Sequence, residues 1–204
     1  MSKVILIGGG SASGKTYVIK KVLEKLPNDK IVHISIDDYY KDFSALPFEE
    51  RAKINYDHPK SFDWKLLNEQ LDNLKHGQTI EKPIYDFVIH SRSDKVENIE
   101  PRELIIVEGI MALVNKDLRE QGDLKVFINA SRERRLIRRI DRDMKERGRS
   151  YENIIDQYFS TVLPMYEEII EPSMYYADLI INNDGYTTKS IDVLVSVIND
   201  MLLK

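Results

Sequence analysis

Apolar positions along the chain come in two arrangements. Short, nearly continuous runs occupy residues 4–7, 31–36, 104–107, 126–128 and 179–181, and runs of that length read as strands buried on both faces. Elsewhere the apolar residues lie three and four apart. Val18, Ile19, Val22, Leu23 and Leu26 do so up to Pro27, and Leu66, Leu67, Leu71 and Leu74 repeat the spacing. Leu136, Ile137, Ile140 and Met144 follow an N-cap at Ser131, and Ile191, Leu194, Ile198 and Met201 close the chain. This spacing predicts amphipathic helices. Buried strands that alternate with helices imply an α/β fold, a parallel sheet covered by helices on both faces. Residues 38–60 fit neither pattern. The stretch is rich in Tyr, Asp and Pro and too long for a passive connector.

The first strand runs into Gly9-Gly10-Ser11-Ala12-Ser13-Gly14-Lys15-Thr16, which matches G-x-x-x-x-G-K-[ST] between a buried strand and a helix. Glycines let the backbone curl until its N–H groups converge on phosphate oxygens, and the helix N-terminus adds partial positive charge. Lys15 can bridge β- and γ-phosphates, and the Thr16 hydroxyl can hold Mg²⁺. A dinucleotide fingerprint fails, because Ser13 stands where its third glycine belongs. The cradle therefore predicts a nucleoside-triphosphate site.

Composition narrows the class. The 204 residues carry 30 Lys+Arg against 34 Asp+Glu, a net charge of −4, which is a poor balance for a protein that coats nucleic acid. There is no cysteine, so thiol catalysis and disulfides are out. No apolar run approaches the length of a membrane span, and the N-terminal one is too short for a signal peptide. A cytoplasmic protein with one domain over residues 1–204 is the expectation.

Among triphosphate-binding proteins, a GTPase should carry N-K-x-D, and Asn115-Lys116-Asp117-Leu118 is one residue out of register. A kinase needs a carboxylate that accepts a hydroxyl proton near the γ-phosphate. Asp37 and Asp38 stand at the carboxyl end of the second strand, where ligands collect in open α/β sheets. Adjacent strand residues point oppositely, so one of the two faces the acceptor. Glu108 ends an aliphatic strand, where pairing with Mg²⁺ would offset the cost of burying its charge. Tyr85 and Phe87, two apart on an extended segment, can wall a slot for a planar base. Arg135, Arg139 and Arg142 form a helical stripe opposite the apolar one, and the choice of Arg suggests fork-like recognition of phosphate.

The residues then resemble the uridine kinase (uridine–cytidine kinase) family. The likeness runs from the cradle through S-I-D-D-Y-Y-K-D, N-Y-D-H-P at 55–59, and P-I-Y-D-F at 83–87 with His90-Ser91-Arg92. It continues through V-E-G-I at 107–110, E-R-G-R at 146–149, Gln157-Tyr158 and Y-A-D at 176–178. The resemblance implies a P-loop fold with a nucleoside-binding insertion and a lid over about 138–157. It also implies transfer of phosphate from ATP, with Mg²⁺, to the 5′-hydroxyl of uridine or cytidine. Asp37 becomes the catalytic carboxylate and Glu108 the magnesium-side acid. Asp57 accepts the ribose diol, and His90 reads the base. Arg142 and Arg147 close over the transferred phosphate, while Arg139, Arg149 and Gln157 lie near the nucleoside. A homotetramer, feedback by UTP or CTP, and no nucleic-acid or membrane partner are implied as well. Rival acceptors are the sugar phosphate of a phosphoribulokinase or the pantothenate of a pantothenate kinase. A non-catalytic nucleotide sensor or RNA-binding protein is the more distant rival. After Asp178 the chain departs from the family: residues 182–185 replace an Arg-Gly turn, which leaves GTP open beside ATP as donor. Asp38 adds a negative charge for which the sequence offers no role.

Overall fold

The computed structural model describes residues 1–185 and 188–203. Five strands form a parallel sheet: β1 (Lys3–Gly8), β2 (Ile31–Ser35), β5 (Leu104–Glu108), β6 (Leu124–Asn129) and β7 (Leu179–Asn182), in the order β2-β5-β1-β6-β7. Their side chains alternate between two cores. Val4, Leu6, Ile34, Ile105, Val107 and Phe127 face one side, where helix α3 (Trp64–Lys75) adds Leu67, Leu71 and Leu74. Ile5, Ile7, Ile106, Val126 and Ile128 face the other, against α1 (Lys15–Leu23) and α9 (Thr188–Leu202). The predicted layers are those observed. The predicted second strand stops at Ser35, and Ile36–Tyr39 forms a 3₁₀ turn instead.

Two parts of the chain depart from the predicted pattern. Residues 38–60 are irregular apart from the end of that turn, the single helical turn α2 (Phe48–Arg51) and the start of a 3₁₀ turn at Pro59–Ser61, but an antiparallel hairpin follows them, β3 (Ile80–Asp86) and β4 (Ser91–Ile99). Its register shifts between Pro83 and Tyr85, a bulge where a proline cannot donate to the ladder. The other part lies beyond α4 (Lys116–Gln121) and the arginine-rich α5 (Arg132–Arg147). There α6 (Tyr151–Gln157), α7 (Leu163–Met165) and α8 (Glu171–Ser173) form one continuous helical stretch despite Pro164 and Pro172. Each proline is preceded by a π-turn, in which Leu163 N–H reaches the Tyr158 carbonyl and Glu171 N–H the Tyr166 carbonyl. Widening the helix there relieves the clash that a proline ring makes with the carbonyl four residues back.

Candidate active site

Strand order brings three chain segments abreast at the carboxyl edge of the sheet. Glu108, the last residue of β5, registers with Ile7 of β1 on one side and with Ser35 of β2 on the other. It therefore stands between the glycine cradle that follows β1 and the turn that follows β2. In the cradle Gly9, Ala12 and Gly14 all take positive φ. A Cβ on Gly9 would lie 2.3 Å from the Ile128 carbonyl, so only glycine fits there. Ala12 holds the same left-handed backbone without that freedom, a local strain of the kind found at binding sites. The Lys15 ammonium donates to the Gly9 and Gly10 carbonyls at 3.0 and 3.2 Å. Burial lowers its pKa, while Glu108 and Asp37 pull it up.

A cavity of ≈ 360 Å³ opens from this cradle. Ser11, Ala12, Gly14, Lys15 and Thr16 line it, whereas Gly9, Gly10 and Ser13 lie behind them. Asp37 faces it with Oδ1 buried and without a hydrogen-bond partner among the described residues. Burial, then Glu108, pushes the Asp37 carboxyl up to about 6. Glu108 is likewise raised, by burial against the opposing pull of Lys15. The Thr16 hydroxyl, the Glu108 carboxylate and the orphaned Asp37 oxygen are hard oxygen donors of the kind a magnesium ion takes. Asp57 also lines the cavity. Burial raises its pKa against the pull of Arg139, Arg142, Arg147 and Arg149. Its own N–H donates to Asn55 Oδ1, so Asn55 makes the Asx turn and the Asp57 carboxylate is left for the cavity.

Helix α5 turns its charged face inward. Arg135, Arg139 and Asp143 are buried, while Ile137 and Met144 are exposed. Ser131 stands at the N-cap position, but its side chain makes no cap hydrogen bond. Arg135 packs beneath the cradle, its guanidinium 3.5 Å from the Tyr166 ring centroid. A Cβ on Gly10 would come within 2.5 Å of that guanidinium, which is therefore a floor under the cradle and not a ligand contact. Arg139 joins the two ends of the cavity by donating to Ser11 Oγ at 2.9 Å and Gln157 Oε1 at 2.8 Å. Gln157 also accepts from Arg149. Asp143 gathers Arg139 (3.5 Å), Arg142 (2.8 Å) and Arg147 (3.5 Å).

Aromatic rings close the remaining wall. Tyr85 meets Phe87 edge-on at 5.2 Å, and Tyr56 stacks on His90 at 5.5 Å with planes 18° apart. Phe87 lies just beyond the end of β3, not on the extended segment, and the turn still brings its ring against Tyr85. Arg147 reaches over Phe87 at 5.5 Å, which ties the end of α5 to the hairpin. Burial, helped by Arg149, Arg51 and Arg147, lowers the His90 pKa. The ring is thus neutral near pH 7, one nitrogen donating and the other accepting.

A family model described as phosphoribulokinase / uridine kinase matches residues 4–189. The chain belongs to this family. Among its relatives in the family, a uridine kinase of Ligilactobacillus salivarius is 49% identical over 205 residues, covering 100% of this chain and 96% of the relative. A uridine kinase of Clostridium tetani is 46% identical over 202 residues, covering 98% and 97%. Solved structures share the fold at lower identity. Phosphoribulokinase from Rhodobacter spheroides has a TM-score of 0.67 at 16% identity, over 89% of this chain and 70% of that one. D-glycerate 3-kinase from Cryptococcus neoformans has a TM-score of 0.67 at 18% identity, over 92% and 88%.

For this family member, sequence reasoning missed several lining residues. Tyr40 and Tyr56 belong to the aromatic wall, and each stands inside one of the motifs above, Tyr40 two residues after Asp38 and Tyr56 next to Asp57. Arg138 lies one step off the arginine stripe and donates to the carbonyls of Ser13 and Asn183. The divergent residues 182–185 brace the cradle. Asn183 Nδ2 donates to the Ser13 carbonyl at 2.8 Å, and Asp184 accepts from Ser131 N–H at 2.7 Å.

Proposed function

We propose that the chain transfers the γ-phosphoryl group of ATP to the 5′-hydroxyl of uridine or cytidine, giving UMP or CMP, a pyrimidine-salvage reaction. One observation carries this reading: a single cavity holds the phosphate cradle, a carboxylate with a buried, unpaired oxygen, and an aromatic wall. A sugar phosphate would need a second anion pocket where Tyr85, Phe87 and His90 stand. The strong likeness to uridine kinases supports the same acceptor.

In this mechanism the cradle amides and Lys15 hold the triphosphate. Asp37 orients the 5′-hydroxyl and takes its proton as the oxygen bonds to the γ-phosphorus and ADP leaves. Arg142 and Arg147 neutralise charge developing on the transferred group. Thr16 and Glu108 would hold Mg²⁺, which when bound offsets phosphate charge. Tyr85 and Phe87 together wall the base slot, with His90 reading the polar edge of the base. Residues 138–157 act as a lid, with Arg139, Arg149 and Gln157 keeping water from the site. Asp57 accepts both ribose hydroxyls.

The test is an assay of ADP release with uridine, cytidine, 2′-deoxyuridine, adenosine, ribulose 5-phosphate and pantothenate. Turnover should be confined to the pyrimidine nucleosides; turnover with ribulose 5-phosphate alone, or with none of the six, would reject the reading. The deoxy analogue leaves a buried Asp57 oxygen unpaired, so its kcat/KM should fall about 10- to 100-fold below that of uridine. Asp57→Asn should narrow that gap. An unchanged gap would remove Asp57 from diol recognition.

A further inference from the structure

Asp38 takes no part in the chemistry above, although it follows Asp37 directly. Its carboxylate turns away from the cavity and meets the Lys82 ammonium of β3 at 2.5 Å. Lys82 is only 7% exposed. It also reaches Glu97 at 3.2 Å, the residue registered opposite it on β4. A buried ammonium persists only with such partners. The far end of the Ile36–Tyr39 turn has its own tethers. The Tyr39 carbonyl accepts from Asp63 N–H at 2.8 Å, and the Tyr39 hydroxyl donates to Gln70, whose amide donates to the Glu81 carbonyl. At the near end Asp37 N–H meets Ser35 Oγ at 3.3 Å, and Ile36 is buried in the core. Beside the Gln70 bridge to Glu81 and the Arg92 Nε–H that donates to the Tyr40 carbonyl at 2.7 Å, the ion pair with Lys82 ties the acidic half of this turn to the hairpin.

We propose that Asp38 and Lys82, steadied by Glu97, form a clasp that sets the distance between the base slot on the hairpin and the Asp37 carboxylate. This rests on the nucleoside-kinase reading of the same cavity. A nucleoside presents its base at one end and its 5′-hydroxyl at the other, so slot and carboxylate must stand one nucleoside apart. Lys82 lies three residues before Tyr85 on β3, and Asp38 lies one residue after Asp37. The clasp joins the residue next to Asp37 to the strand that carries Tyr85. A displacement of about 1 Å at a reacting atom can cost about 10²-fold in rate. Both residues are positioning residues, because neither touches substrate.

The experiment compares Lys82→Met, Asp38→Asn and the double variant with the wild-type chain. It measures kcat and KM for uridine and for ATP, together with hydrogen exchange in the absence of nucleoside. Each single variant should lose about 10-fold in kcat/KM for uridine while KM for ATP stays within about twofold, since the cradle is untouched. The double variant should lose no more than the worse single, because all three remove one interaction. Amides at 36–39 should exchange faster in each variant, with those at 9–16 unchanged. Uridine kinetics that stay at wild-type values while the melting temperature falls would reduce the pair to a fold contact and overturn the proposal. Losses that multiply in the double variant would overturn it too. A wild-type chain inert towards every nucleoside would instead remove the reading on which the clasp rests. Unchanged exchange at 36–39 in an active enzyme would remove the clasp alone.

Discussion

Asp37→Asn is expected to lower turnover of uridine at least about 10²-fold while leaving ATP binding near normal, because the amide cannot take the hydroxyl proton. The same substitution should make the protein more stable at pH 8. The Asp37 carboxyl is raised from 3.8 to about 6, so the folded chain binds its proton more tightly than the unfolded chain does. Stability therefore falls as pH rises through that window, and above it the ionised carboxylate is a net cost. The full shift corresponds to about 3 kcal/mol. Contact with the cavity reduces this, and a gain of about 1–3 kcal/mol, a few degrees in Tm, is expected for the asparagine variant. Below pH 4 the gain should vanish. Wild-type kcat/KM should fall as pH drops below about 6. Full activity in Asp37→Asn, or a Tm below wild type at pH 8, would contradict this account.

Asp143→Ala should be the more damaging change to the fold. The carboxylate is fully buried and holds Arg139, Arg142 and Arg147 together. Removing one member of a buried ionic cluster typically costs about 3–5 kcal/mol, because the remaining charges stay desolvated. For a chain of this length that is about 10 °C in Tm, read by thermal unfolding. Activity should fall as well, since Arg142 and Arg147 lose their orientation. Burial pushes the Asp143 carboxyl up, but the Arg142 hydrogen bond and the charges of all three arginines outweigh it and leave the pKa lowered. Its contribution is thus complete at neutral pH and is lost only as pH falls below the ordinary carboxylate range. A variant with wild-type Tm would show that the arginines do not need this partner.

The strands and the cradle were legible in the sequence because their signals are local. A run such as Val4–Ile7 and a spacing such as Gly9 to Lys15 are complete within a few residues. What stayed hidden depended on partners far along the chain. The strand Ser91–Ile99 is mostly polar and exposed, so neither periodicity nor hydrophobicity marks it, and only pairing with Ile80–Asp86 makes it a strand. Asp143 reads as a surface residue in a helix full of charges; it is buried because three arginines on its own helix converge on it. Asp38 looked like surplus charge beside the acceptor, and its partner lies 44 residues away. Pro164 and Pro172 would ordinarily break a helix, and here the π-turns absorb them. Only one carboxylate of Asp37 and Asp38 faces the cavity, as expected, but a 3₁₀ turn and not strand alternation separates them.

The inward face of α5 has a consequence for how the molecule captures its ligands. Six cationic side chains and three carboxylates line the cavity, although the chain as a whole is acidic. The protein is therefore electrically polarised, with a positive funnel set in a negative exterior. Such a funnel draws polyphosphates inward, and the exterior repels long polyanions that cannot enter. Nucleotide association should slow as ionic strength rises and the screening length shrinks below the depth of the cleft.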